Sequence, residues 1–233
     1  NPDEDTGVPP VERCCIGYGN RSYRAYEEQK QFIENASHEL QTPLAIVRGK
    51  VELLAESEGM TEQQMEQLDE IYATLGRAVK LNKSLLLLSR IENGQYTESE
   101  DVSVDEILEN LLPDLMDIYE HKQVRLLRKQ GEQPFIIRCN HSLAQILVSN
   151  LVKNSLLHNR EGGELQVFTT PASLVIRNTG DAPLDGEKLF RRFYHGMDGK
   201  KDSTGLGLAI ARSIALSSSL KLTYEWQDVC IPS

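Results

Sequence analysis

Apolar residues fall at Phe32, Ala36, Leu40, Leu44, Val47, Val51 and Leu54, in steps of three and four. The pattern resumes at Met65, Leu68, Ile71, Tyr72, Leu75, Ala78, Val79, Leu85 and Leu86. Such steps lay a stripe along one face of an α-helix. The break between them, "AESEGMTE", holds Gly59, suited to a helix C-cap, and Thr61 with Gln64, spaced as a capping box. The spacing predicts one helix beginning near Ser22 and a second ending near Ile91. A short connection makes them an antiparallel hairpin. One hairpin cannot cover both stripes, but two copies can, as a four-helix bundle. The expectation is a homodimer.

The rest of the chain changes period. Residues 1–21 are rich in Pro, Gly and Asp and read as a leader. Residues 22–95 hold the hairpin, and "ENGQYTESED" reads as a linker. From 101 to 233, helices and strands mix. Ser103 with Glu106 opens a helix to about His121, and "HSLAQILVSNLVKNSLL" reads as a long one. "VRLLRK", "PFIIRC", "ELQVFTT", "SLVIRN" and "LKLTYEW" read as strands, and a last helix runs from about Gly205 to Leu216. The fold class is therefore α+β: a dimeric helical hairpin followed by an α/β sandwich with helices on one face of a sheet.

An apolar fraction of 39% among 233 residues supports a sizeable core. A net charge of -10 argues against a nucleic-acid backbone binder, which carries clustered excess Lys and Arg. One nucleotide site is still allowed, since it needs only local charge. The four cysteines show no CxxC pair and read as reduced thiols. No run approaches the roughly 18 apolar residues of a membrane span, and there is no signal-peptide pattern. The first residue is not Met, so the expectation is a piece with segments upstream.

Packing does not explain "SHELQTPL", residues 37–44. At about 100° per residue, His38 falls roughly 180° from the apolar stripe and is expected to face solvent. Thr42 lies above it on the same face. Glu39 sits at its flank, where a carboxylate can hold one ring nitrogen and leave the other free as a nucleophile. Ala45 would leave the approach open. Ile46, outside the stripe, is either part of a docking surface or a scattered surface residue.

The block "FIENASHELQTPLAI" resembles the phosphoacceptor box of sensor histidine kinases. The resemblance implies that His38 takes a phosphoryl group from ATP and passes it to an Asp of a response-regulator receiver domain. It gives Glu39 the role of assisting His38. It gives Thr42 that of positioning water when the protein dephosphorylates its partner. The box often has Arg where Gln41 stands.

Asn150 and Asn154 share a helix face in "NLVKNSLLHN", and two amide oxygens can add ligands to Mg²⁺. Alone, two such residues are more often a polar surface. The family's N box implies that Asn154 binds Mg²⁺ between protein and triphosphate. Leu157 stands where the family often has a phosphate-reaching Lys, and His158 where an aromatic or His is usual. In "VIRNTGDAP", Asn178 and Gly180 match the Asp-x-Gly whose Asp accepts from the adenine amino group; an amide oxygen accepts the same bond without charge assistance. "LFRRFYHG" resembles the F box, with Phe190, Phe193 and Tyr194 as lid anchors. Arg192 leads Arg191, His195, Lys200 and Lys201 as the phosphate contact. In "STGLGLAI", Thr204, Gly205, Leu206, Gly207 and Leu208 open a helix whose N–H groups suit phosphate. Ser203 replaces a further Gly.

These blocks span residues 32–210 in family order. They imply an ATP-binding domain of the gyrase and Hsp90 type, with ATP and Mg²⁺ as cofactors. No nucleic acid is implied. The family suggests the cytoplasmic portion of a bacterial inner-membrane sensor, anchored only through segments absent from this chain. A phosphatase-dominant enzyme and a non-catalytic dimeric scaffold that binds ATP are the alternatives, since Leu157, Asn178 and Ser203 all depart from the pattern.

Overall fold

The computed structural model describes residues 35–37, 39–57, 59–180, 182–194 and 204–226. The leader and the start of the first helix lie outside the described residues. The first described helix, α1, covers 39–55, with 35–37 also helical. Helix α2 is Glu62–Glu92. Its N-terminus is the expected capping box: the Thr61 side chain accepts from Gln64 N, and the Gln64 side chain accepts from Thr61 N. Gly59 has φ +88, in the left-handed region that glycine enters without steric cost.

The stripes are only partly covered. Val51 and Leu75 are buried. Leu40, Leu54, Met65 and Ile71 each remain more than half exposed, at 51%, 54%, 52% and 51%. At the far end α2 meets other structure: Leu88 and Ile91 belong to the same apolar core as the α/β part.

That part runs β1 (Glu100–Ser103), α3 (Val104–Ile118), β2 (Arg125–Lys129), β3 (Ile136–Cys139), α4 (His141–Leu157), β4 (Glu164–Thr170), β5 (Ser173–Asn178) and α5 (Gly207–Ser217). Strands β1 and β3 pair antiparallel. Strand β4 lies between β2, to which it is parallel, and β5, to which it is antiparallel. Alternating burial on β4 turns Leu165, Val167 and Thr169 inward, the period-two pattern of a strand with one covered face. Helix α3 ends at Ile118, and a single 3-10 turn, Glu120–Lys122, takes the place of its expected last residues. The strand expected at "LKLTYEW" does not form. Residues 221–226 carry no regular structure and are held by side chains, with the Tyr224 hydroxyl accepting from Leu184 N at 3.1 Å.

A buried carboxylate joins the layers. Asp105, at the start of α3, is 2% exposed. It accepts from Phe135 N at 2.8 Å and from the Thr169 hydroxyl at 2.6 Å, and Arg128 approaches it at 3.8 Å. Buried polar groups need such partners.

Candidate functional site

Helix α4 carries Asn150 and Asn154 on the face turned toward the start of α5. The Asn150 Nδ2 donates to Ile146 O at 3.0 Å, which fixes the amide. A Cβ added at Gly207 would stand 3.1 Å from Asn150 Oδ1. The glycine is there because the first turn of α5 and the amide of α4 meet with no room for a side chain. Gly205, at φ +65, turns the chain into α5, and Leu206 behind it is fully buried. Thr204 and Leu208 are half-buried at the same edge. Among the described residues, the Asn154 amide makes no hydrogen bond within the protein. Two amide oxygens that accept no hydrogen bond among the described residues, beside a helix N-terminus cleared of side chains, fit a hydrated Mg²⁺ carried in with a triphosphate.

The far end of α4 is closed by a residue that sequence reasoning passed over. The Lys122 ammonium donates to the carbonyls of Leu156 at 2.9 Å, Leu157 at 2.5 Å and Asn159 at 3.0 Å. A cation on the last carbonyls of a helix is favoured by hydrogen bonding and by the helix dipole. Lys122 therefore does not replace the phosphate-reaching cation absent at Leu157. Beside it, Asn178 at the end of β5 donates from Nδ2 to His158 O at 3.5 Å. That orientation leaves Oδ1 as the outward acceptor. The Trp226 ring lies over Gly180, 3.1 Å from where a Cβ would stand.

The segment around residues 186–194 returns to the mouth of α5. Phe193, at φ +61, donates from its backbone N to Gly205 O at 2.9 Å. Phe190 is half-buried with the Arg212 guanidinium over its ring. Tyr194 is half-buried, and Arg191 is exposed. Arg192 forms an ion pair with Glu92, the last residue of α2. This partner was invisible in the sequence because a hundred residues separate the two. His195, Lys200, Lys201 and Ser203 lie outside the described residues. Asp185 opens the segment. The hydrogen bond from Lys188 holds its carboxyl below the usual carboxylate range, helped by the Lys188 and Glu187 backbone amides.

On α1, Glu39, Thr42, Ala45 and Ile46 are exposed, so this face is open to an incoming group. His38 lies outside the described residues. Asn150 meets Gly207 at one edge of the α/β part, with Asn154 one turn further along α4, Gly205 leading into α5, and Asn178 bonded at the end of α4. The residues of α1 stand on the hairpin, a separate element.

Residues 28–94 match the His Kinase A (phospho-acceptor) domain family. The sensor histidine kinase RppB of Synechocystis sp. is 30% identical over 216 residues, covering 87% of this chain and 47% of that protein. The chain spans about half the length of the curated relatives it matches. Two solved structures share the fold. The Acinetobacter baumannii histidine kinase AdeS has a TM-score of 0.53 at 22% identity, over 77% of this chain and 86% of that one. Full-length ShkA in complex with AMPPNP has a TM-score of 0.63 at 20% identity, over 80% of this chain and 41% of that one.

Proposed function

The chain belongs to the sensor histidine kinases, and on that premise we propose that it transfers the γ-phosphoryl group of ATP to His38 and then to an Asp of a response-regulator receiver domain. The observation that carries this is the phospho-acceptor match over 28–94, which includes His38, Glu39 and Thr42. It stands beside an amide-and-glycine cradle made by Asn150, Asn154 and Gly207. ShkA binds an ATP analogue in a similar fold, which supports ATP as the donor.

One imidazole nitrogen of His38 attacks the γ-phosphorus in line. The bond from phosphorus to the β,γ-bridging oxygen breaks, and ADP leaves. Glu39 holds the other ring nitrogen and orients the nucleophile. Asn154 and Asn150 are the residues that would hold Mg²⁺, which when bound would supply charge neutralisation at the phosphates. The N–H groups at the start of α5, cleared by Gly205 and Gly207, receive phosphate oxygens. The Oδ1 of Asn178 accepts from the adenine amino group. As in other phosphoryl transfers, positioning and charge stabilisation supply most of the catalysis. The apolar residues left exposed on α1 and α2 meet a second copy, which gives the homodimeric bundle. Thr42 serves dephosphorylation of the regulator, and the whole protein is a membrane-anchored sensor whose cytoplasmic part is this chain.

Incubation with γ-³²P-ATP and Mg²⁺ should give an acid-labile, base-stable label that His38→Gln abolishes. Without a label, stripping of phosphate from a pre-phosphorylated regulator, lost in Thr42→Ala, would identify a phosphatase-dominant enzyme. Neither activity, with ATP still bound, would identify a scaffold.

A further inference from the structure

Asn82 of α2 is 5% exposed. Its Nδ2 donates to the backbone carbonyl of Ser37, itself 3% exposed, at 2.7 Å. Ser37 immediately precedes His38. Both residues stand on heptad seams. Steps of seven lead from Ser37 to Leu44 and Val51, and from Asn82 back to Leu75 and on to Ser89. Counted antiparallel from the Asn82–Ser37 bond, Leu44 comes level with Leu75 and Val51 with Leu68. The hydrogen bond from Arg48 to the Tyr72 hydroxyl, at 2.9 Å, falls within one residue of the same register. The hairpin is therefore apolar in those two layers and polar in the one next to His38. An Asn on such a seam lowers stability and specifies register, because sliding one helix strands its amide in an apolar layer.

We propose that Asn82 is a positioning residue of the kinase reaction: its amide locks α1 against α2 at the level of His38, so the imidazole meets the nucleotide at one height. This rests on His38 being the phosphoacceptor. Asn82 bonds to Ser37 of the hairpin and to no residue of the nucleotide cradle among the described residues, so its effect belongs in kcat and not in the KM for ATP.

The test uses the purified chain carrying Asn82→Leu, Asn82→Gln or His38→Gln. Asn82→Leu should remain a folded dimer and melt at or above the parent. Its KM for ATP should stay within about twofold while the labelling kcat falls roughly tenfold or more. Asn82→Gln keeps a donor but overfills the seam, so it should melt lower and yet retain more kcat than the Leu variant. A merely structural role would make activity follow melting temperature. The register is read independently by disulfide trapping, with the native cysteines replaced by alanine. Arg48→Cys should couple to Tyr72→Cys far faster than to Leu68→Cys or Gly76→Cys, and Asn82→Leu should erase that preference. Parental kcat in Asn82→Leu, loss of its fold, or an unchanged trapping preference would overturn the proposal. Label that survives His38→Gln would count against His38 as acceptor, and the trapping pattern would then decide on Asn82 alone.

Discussion

Replacing Gly207 by Ala sets two effects of opposite sign against each other. Gly207 is the first residue of α5 and its φ is not positive, so alanine fits the backbone. In a helix, alanine is favoured over glycine by up to about 1 kcal/mol, less at a terminus. The added Cβ would stand 3.1 Å from Asn150 Oδ1, where ordinary contact begins at 3.4 Å. Asn150 must yield by a few tenths of an ångström, yet its Nδ2 is held by Ile146 O at 3.0 Å. Either that bond breaks or the oxygen moves in the cradle. Losing one such bond costs about 1 kcal/mol, which is roughly fivefold in affinity. Thermal melting of the ligand-free chain should therefore show stability equal to the parent or lower by up to about 1 kcal/mol. Titration with ATP and Mg²⁺ by calorimetry should show affinity reduced about three- to tenfold. Unchanged ATP affinity would refute the placement of Asn150 in the nucleotide site. A stability loss well beyond about 1 kcal/mol would refute the reasoning differently, by showing that the Asn150 amide cannot yield at this contact.

Asp105→Ala should cost about 2–5 kcal/mol in denaturant unfolding, because it orphans the Phe135 N–H and the buried Thr169 hydroxyl together; a loss below about 1 kcal/mol would contradict that accounting. Asn178→Asp should tighten ATP binding by about 1 kcal/mol through a charge-assisted bond to the adenine amino group, and an unchanged Kd would count against Asn178 reading the base. Because the Asp185 carboxyl is held low by Lys188, its support of the 185–189 turn is complete at neutral pH and is lost as pH falls through that lowered pKa. Protection factors of the Lys188 and Leu189 amides, taken relative to intrinsic exchange at each pH, should fall with acid in the parent, whereas Asp185→Asn should flatten this dependence; identical profiles would exclude the linkage.

Local chemistry made the architecture legible. The Thr61–Gln64 box, the left-handed Gly59 and Gly205, and the steps of three and four between Leu40 and Leu86 each express a short-range rule that the chain obeys without knowledge of its fold. "SHELQTPL", the paired asparagines of α4 and "GLGL" stand out in the sequence for the same reason: the chemistry proposed for them depends on spacing within one helix or turn. The strand expected at "LKLTYEW" failed because alternation says only that a segment can pair. Whether it finds an edge depends on the sheet, and Tyr224 holds it at Leu184 instead.

Side-chain partners far apart in sequence belonged to the tertiary structure alone. The pairings of Lys122 with the carbonyls of α4, Arg192 with Glu92, Asp105 with Phe135 and Thr169, and Asn82 with Ser37 follow from no local spacing. A single polar residue reads the same in sequence whether it meets solvent or a buried carbonyl. Nothing local distinguishes those fates, because the free energy that separates them, the cost of an unpaired buried polar group, arises only once packing has removed the water.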